Sequence, residues 1–191
     1  MKKILVIAAM LIASTATFAQ NAVGQITIQP KIGLNLANLT GDADGDIRCG
    51  LAAGAEFEYG VTDMIGLSAG VLYSMQGCKT DHSTTKLDYI NIPILCNVYV
   101  AKGLAVKLGI QPGFNVNSKV KGEAFGYSKE TDIDVESFDF SIPVGISYQF
   151  DSVPVVLDAR YNWGLTKVWE SVDKNPKNSV FQFTVGYKFS L

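Results

Sequence analysis

The strongest constraint on the fold is a strict two-residue alternation that recurs along the chain. It is clearest in residues 179–191, where the odd positions are apolar and the even positions are polar or glycine. A period of two is that of a β-strand with one apolar and one polar face. The sequence therefore predicts eight amphipathic strands, at residues 25–37, 51–59, 65–75, 87–100, 104–116, 138–150, 155–166 and 179–191.

Short and long connections alternate between these predicted strands. Short periplasmic turns and long outer loops are typical of bacterial outer-membrane barrels. We therefore expect an all-β fold, a closed eight-stranded antiparallel transmembrane β-barrel with short periplasmic turns and long extracellular loops. The predicted turns are residues 60–63, 101–103 and 151–154, and the predicted loops are residues 38–50, 76–86, 118–137 and 167–178.

The charged residues assigned to the middle of these strands share the polar face. An Arg or Lys side chain that faces lipid in the middle of the bilayer costs about 2–4 kcal/mol. The placement of all these charges on the polar face therefore favours a barrel whose apolar face meets lipid. Because an unpaired charge in a narrow interior is costly, we predict a polar network that plugs the lumen rather than a conduction path. The predicted network is Lys31, Glu56, Glu58, Lys107, Asp139, Asp158, Arg160 and Lys188.

A soluble β-sandwich or a lipocalin-like barrel also alternates and is the competing fold. In those folds the polar face meets water and is usually rich in Lys, Glu and Thr. The polar face here is rich in Gly, Ser, Asn and Gln. Small side chains suit the crowded interior of an eight-stranded barrel, which favours the membrane fold.

The first nineteen residues have the pattern of a cleaved signal peptide. Lys2 and Lys3 precede an apolar run at residues 4–13, and a cleavage site follows between Ala19 and Gln20. The run is shorter than the roughly 20 residues that a spanning helix needs. We therefore expect a signal peptide at residues 1–19, a single barrel domain at residues 20–191, and export through the periplasm to the outer membrane.

Two residue types in the predicted loops, histidine and aspartate, could form chemical sites. His82 lies in a predicted loop without a fixed orienting partner, so we expect no catalytic role for it. Asp42, Asp44 and Asp46 alternate as in a calcium loop, but the closing bidentate Glu is missing, so we expect no metal site. The sequence thus predicts no enzyme chemistry, no cofactor and, with a formal net charge of −2, no nucleic-acid partner.

The cysteines suggest one covalent crosslink. Cys49 and Cys78 are placed near the same outer rim, where two adjacent strands enter their loops. The periplasm is oxidising, so a disulfide between them is a candidate, although spacing alone leaves the pairing open. Cys96 is placed on the lipid face as a small apolar residue.

Three segments carry a family resemblance. Residues 31–39 (KIGLNLANL), 87–93 (LDYINIP) and 160–166 (RYNWGLT) resemble, in this order and spacing, the outer-membrane β-barrel proteins of Bacteroidota called PorT-like. The resemblance implies architecture and location more than activity, although one branch of the family is linked to protein secretion. The end of the chain is also similar to the signal read by the barrel-assembly machinery, which implies that machinery as a partner during biogenesis. The residues that carry this signal are Thr184, Gly186, Phe189 and Leu191.

The leading function hypothesis is a structural or surface-interaction barrel in outer-membrane lipid. Its extracellular loops would contact an unknown extracellular or periplasmic protein, and residues 118–137, which include Phe125 and Tyr127, are the predicted contact segment. A narrow pore for small solutes or ions is the alternative. A membrane lipid-modifying enzyme is the third hypothesis.

Overall fold

The computed structural model describes residues 23–40, 46–80, 83–124, 127–133, 135–168 and 176–191. Throughout these ranges the regular structure is β-strand, and no helix is long and apolar enough to cross a membrane. The strands are β1 (Ile26–Thr40), β2 (Asp46–Gly60), β3 (Ile65–Thr80), β4 (Ser83–Asn91), β5 (Ile94–Ala101), β6 (Leu104–Ala124), β7 (Tyr127–Asp132), β8 (Phe138–Gln149), β9 (Val155–Gly164), β10 (Lys177–Tyr187) and β11 (Phe189–Ser190).

The strands form one antiparallel sheet that closes on itself as an eight-position ring. Counted from β1, the eight positions of the ring are β1, β2, β3, β4 continued by β5, β6, β8, β9, and β10 continued by β11. Closure comes from β1, which pairs with β10 along ten registered positions and with β11 beyond them. The predicted eight-stranded antiparallel architecture is therefore confirmed, and closure leaves no free edge within the ring.

Two of the eight ring positions are interrupted. The fourth breaks at Ile92 and Pro93, because proline has no amide hydrogen to donate to the ladder. The eighth breaks at Lys188, whose N–H donates to the Pro154 carbonyl oxygen at 2.8 Å in the turn before β9. Neighbouring strands continue past both breaks, so the ring stays closed.

The two faces of each strand have opposite surroundings. On β1 the side chains of Ile32 and Leu34 are 59% and 58% exposed, whereas those of Lys31 and Asn35 are buried inside the ring. Aromatic side chains pair at both ends of the outward face, with Phe114 against Phe138 at the loop end and Tyr148 against Phe150 at the turn end. This arrangement matches a barrel with an apolar band and two aromatic girdles.

The outer ends of the strands are longer than predicted. The predicted loops at residues 38–50, 76–86 and 118–137 are largely strand, because β1 continues to Thr40, β3 to Thr80 and β6 to Ala124. β6 then turns back into β7 as a hairpin that registers Lys119 with Asp132. The alternation of apolar and polar residues fades in these segments because their outward face is no longer uniformly apolar, while inward residues such as Leu39 and Cys78 are buried.

Candidate functional site

Five of the eight predicted network residues meet in the middle of the lumen as a central charge cluster, defined as Lys31, Glu56, Lys107, Asp158 and Arg160. They come from β1, β2, β6 and β9 and are nearly fully buried. Each is on the inner face of its strand because the apolar residues on either side of it must face outward. The ring thus gathers charges that are up to 129 positions apart in sequence, as with Lys31 and Arg160.

Each cation in the cluster contacts both anions. The Lys31 Nζ lies 2.7 Å from Glu56 Oε2 and 3.5 Å from Asp158 Oδ2. The Lys107 Nζ lies 2.7 Å from Asp158 Oδ2 and 3.8 Å from Glu56 Oε2. The Arg160 Nη2 lies 2.9 Å from Glu56 Oε1 and 2.7 Å from Asp158 Oδ2, and its Nε donates to Asp158 Oδ1 at 2.8 Å. Such dense pairing is what charges buried away from water require.

Glycines make room for these large side chains. A Cβ on Gly70 would lie 2.6 Å from Glu56 Cγ, and a Cβ on Gly145 would lie 2.6 Å from Arg160 Cβ. Both glycines are registered directly opposite the charged residue that they accommodate. At these two positions the absence of a side chain therefore leaves space that the charged side chain occupies.

A second charged group lies nearer the periplasmic turns. The Lys188 Nζ lies 3.2 Å from Glu58 Oε2 and also donates to Tyr99 Oη at 3.2 Å. Tyr99 in turn donates its hydroxyl to Glu58 Oε1 at 2.5 Å. The break in the eighth ring position at Lys188 therefore coincides with the residue that completes this group.

Asp139 is the one predicted network residue that joins neither group. Its Oδ1 accepts a hydrogen bond from Thr166 Oγ1 at 2.8 Å, and within the described ranges it forms no ion pair. On β8, Gly145 is registered with Arg160, and Asp139 lies six residues before Gly145. At the rise of a β-strand, this separation places Asp139 about 20 Å along the strand from the central charge cluster.

An outer polar group was missed by the sequence analysis. The Arg48 Nη2 lies 4.0 Å from Asp88 Oδ1, and Asp88 Oδ2 accepts hydrogen bonds at 2.9 Å from both Tyr73 Oη and Asn117 Nδ2. Asp88 lies in the predicted strand at residues 87–100 with the parity of Ile90, so the prediction that strand charges share the polar face was wrong for this residue. The register between β4 and β6 shifts by one residue between Asp88 and Tyr89, beside this polar group.

An apolar cap packs across the outer end of the lumen. It consists of buried side chains from the ends of β1, β3 and β4 and from the segment after β9, with two partly buried residues that follow β7. The backbone carbonyl of Val168 accepts a hydrogen bond from the Glu136 N–H at 2.9 Å, which ties the two loop segments together. The members of the apolar cap are Leu39, Cys78, Leu87, Tyr89, Val168, Ile133 and Val135.

The structure does not form the predicted disulfide. Cys49 and Cys78 are free thiols, the first exposed and the second buried in the apolar cap. Cys49 is registered with Leu36 on β1, and Cys78 is registered with Ile47 on β2, beside a register shift between Ile47 and Ala52. The two thiols therefore differ in their surroundings, since Cys49 is exposed and Cys78 packs in the apolar cap.

The remaining predicted residues divide between the seam and the parts of the chain outside the described residues. Thr184 and Gly186 lie on β10 and Phe189 on β11, and the Leu191 N–H donates to the Ile26 carbonyl oxygen at 2.9 Å. The proposed assembly signal thus follows the seam where the last strand meets the first.

Several segments and residues considered in the sequence lie outside the part of the chain that the structure describes. The signal peptide at residues 1–19, Asp42, Asp44, His82 and Phe125 lie outside the described residues, whereas Asp46 begins β2. Within the described ranges, no three His, Cys, Asp or Glu side chains are grouped as metal ligands.

The comparisons with known proteins agree with this architecture. The family model described as "Outer membrane protein beta-barrel domain" matches residues 18–170. No curated protein matches the chain.

Solved structures with the same fold include two bacterial barrels. The attachment invasion locus protein Ail of Yersinia pestis has a TM-score of 0.52 at 17% identity over 87% of this chain and 99% of that chain. Its complex with the heparin analogue sucrose octasulfate has a TM-score of 0.54 at 15% identity, with the same coverage of both chains. Neisserial surface protein A has a TM-score of 0.52 at 14% identity over 86% of this chain and 97% of that chain. The chain therefore belongs to the outer membrane protein β-barrel domain family, and its place is the bacterial outer membrane.

Proposed function

We propose that this protein is a closed surface-interaction barrel that acts through its extracellular strand ends and loops rather than by conducting solutes. The observation that carries the proposal is the succession of barriers along the lumen. The group of Glu58, Lys188 and Tyr99 is followed by the central charge cluster, and the apolar cap packs beyond it. A solute would have to displace all three groups to pass.

The outer strand ends form the surface available for recognition. β4 and β7 flank the outer part of β6, which registers Ser83 with Gly122 and Lys119 with Asp132. Hydrogen-bonded strands hold a surface in a fixed shape, and loops on a rigid scaffold are where proteins usually carry recognition. The proposed contact segment is therefore the hairpin of β6 and β7 with its flanking residues, within the predicted range 118–137.

The experiment is site-specific photo-crosslinking in intact cells. A photoreactive residue at Thr131, which is exposed on β7, is expected to give a discrete protein adduct. The matched control is the same residue at Asp63, exposed in a periplasmic turn, which is expected to give no adduct of that size. No adduct at Thr131 or at neighbouring outer positions would contradict a protein-binding role for this hairpin.

A narrow pore is the second candidate, because some interior polar atoms have no hydrogen-bond partner within the part of the chain that the structure describes. Gln111 Oε1, Asn97 Oδ1 and Asn162 Oδ1 are examples. Such atoms favour water in the lumen, which is the starting point for a conducting path. Planar-bilayer recordings separate the candidates, since a closed barrel gives no steady current, and a pore gives a current that changes when Lys107 and Arg160 are neutralised.

A lipid-modifying enzyme is the third candidate. Lipid A that is identical in cells with and without the gene would eliminate lipid A modification. Other membrane lipids would need their own assays.

We also propose a branch of the family for this protein and a route by which it reaches the outer membrane. The segments at residues 31–39, 87–93 and 160–166 support a place among the PorT-like barrels of Bacteroidota. Export after removal of residues 1–19 predicts Gln20 as the first residue of the mature protein, which N-terminal sequencing checks. Assembly through the barrel-assembly machinery predicts that the seam residues Gly186 and Phe189 are required for insertion.

A further inference from the structure

The central charge cluster carries more positive than negative charge. Lys31, Lys107 and Arg160 share only two carboxylates, those of Glu56 and Asp158, which leaves a formal charge of +1. These side chains are at most 5% exposed, so bulk water does not screen the excess.

The other interior charges do not neutralise this excess nearby. Glu58 with Lys188 and Arg48 with Asp88 are each balanced pairs. Asp139 carries a compensating charge, but it lies about 20 Å along its strand from the position opposite Arg160. The charge imbalance is therefore local to the middle of the lumen, where uncompensated charge costs the most.

Unused hydrogen-bond donors lie beside the excess charge. The Arg160 Nη1 is buried and has no hydrogen-bond partner among the described residues, although the Nε and Nη2 of the same side chain are engaged. Asn162 Nδ2 and Thr184 Oγ1 also lack partners. Thr184 is registered with Asp158 on the adjacent β10, and the Arg160 guanidinium extends toward Asp158. Asn162 lies two residues from Arg160 in the opposite direction along β9, so of these two donors only Thr184 lies on the guanidinium side.

We propose that the lumen binds one small monovalent anion, of the size and charge of chloride, at Arg160 Nη1 between β9 and β10. A single negative charge neutralises the central charge cluster. An acceptor-only ion also suits Arg160 Nη1 and Thr184 Oγ1, because a buried donor without a partner costs about 1–3 kcal/mol and more when charged. Gln182 Oε1, registered with Arg160, and Asn162 Oδ1 are unpartnered acceptors and do not contribute to the site. A divalent oxyanion would replace an excess of +1 with an excess of −1. The inference goes beyond the proposed surface role, because it depends only on the interior charges.

The crystallographic test uses bromide, which scatters anomalously. Crystals of the full barrel grown in sodium bromide are expected to show an anomalous peak within hydrogen-bonding distance of Arg160 Nη1. Lys31→Met removes the surplus charge and is expected to abolish the peak, while Lys102→Met, at an exposed turn, is expected to retain it. Bromide found only at the protein surface would overturn the proposal.

The solution test follows stability in detergent micelles with increasing bromide, against sodium gluconate at equal ionic strength. If bromide binds only the folded barrel, the equilibrium constant for unfolding falls about 11-fold when free bromide reaches ten times its Kd. The dependence is expected to vanish in Lys31→Met. Thr184→Val, which keeps every charge, is expected to shift the response to higher bromide, and it serves as the test if Lys31→Met does not fold.

Two results would refute the anion site. One is identical stability in bromide and gluconate for the unaltered protein. The other is a nitrogen NMR signal showing that Lys31 or Lys107 is neutral in the folded barrel at pH 7, because a lysine that has lost its proton would balance the cluster without an anion. Before the stability of a variant is compared, its fold is verified by gel electrophoresis, in which the band of a folded barrel shifts on boiling.

Discussion

Removal of one carboxylate from the central charge cluster should destabilise the barrel strongly. Glu56→Gln keeps the shape of the side chain but removes the negative charge that Lys31 contacts at 2.7 Å, Arg160 at 2.9 Å and Lys107 at 3.8 Å. Breaking a buried ion pair by removing one partner costs about 3–5 kcal/mol. That loss corresponds to a decrease of roughly 150- to 5,000-fold in the folding equilibrium constant.

The assay is equilibrium unfolding in urea of the protein in lipid vesicles, followed by tryptophan fluorescence and by the gel shift on boiling. The matched control is Asp151→Asn, which breaks an exposed ion pair with Lys102 at 3.0 Å. Exposed pairs contribute about 0–1 kcal/mol, so this variant should unfold close to the unaltered protein.

A double variant separates charge imbalance from altered packing. Lys31→Met combined with Glu56→Gln restores the original charge of the cluster, so its loss of stability should be smaller than the sum of the two single losses. The reasoning is refuted if Glu56→Gln unfolds within about 1 kcal/mol of the unaltered protein, because a buried carboxylate shared by three cations should cost more than that.

Three further predictions test other parts of the structure. Leu87→Ala in the apolar cap should lower the free energy of unfolding in urea by about 2–5 kcal/mol, and a loss below 1 kcal/mol would mean that the cap is not packed. Val71→Lys on the outward face should lower it by about 2–4 kcal/mol in vesicles, whereas an unchanged value would place Val71 away from lipid. Cys49 should react with a maleimide in the folded barrel while Cys78 reacts only after unfolding, and protection of both until a reductant is added would restore the predicted disulfide.

The sequence was most informative where lipid constrains it. Between the two aromatic girdles, every outward side chain must be apolar, so Ile32 and Leu34 alternate visibly with Lys31 and Asn35. That constraint is physical and local, and it explains why strand number, face and closure could be predicted. The ion-pair partners of the charged side chains inside the lumen could not be predicted. They depend on strand registers, which bring residues as distant in sequence as Lys31 and Arg160 together.

The predictions failed above the membrane for the same physical reason. There both faces of a strand can be polar, so the extensions of β1, β3 and β6 left no alternating signal. The inward faces become apolar at Leu39 and Leu87, which reverses the rule that holds in the bilayer. Register shifts between Ile47 and Ala52 and beside Asp88 then offset the paired strands, and the period of two does not mark them.

The most direct test of the account is a scan of lipid contact along β1. Single spin labels at residues 31–36, in a variant without native cysteines, would be measured in bilayers for collision with oxygen, which concentrates in lipid, and with a water-soluble nickel complex. The account predicts that contact with oxygen rises at residues 32, 34 and 36 and falls at 31 and 35. Oxygen contact without this period of two, or a maximum at residues 31 and 35, would contradict a barrel with lipid outside and charge within.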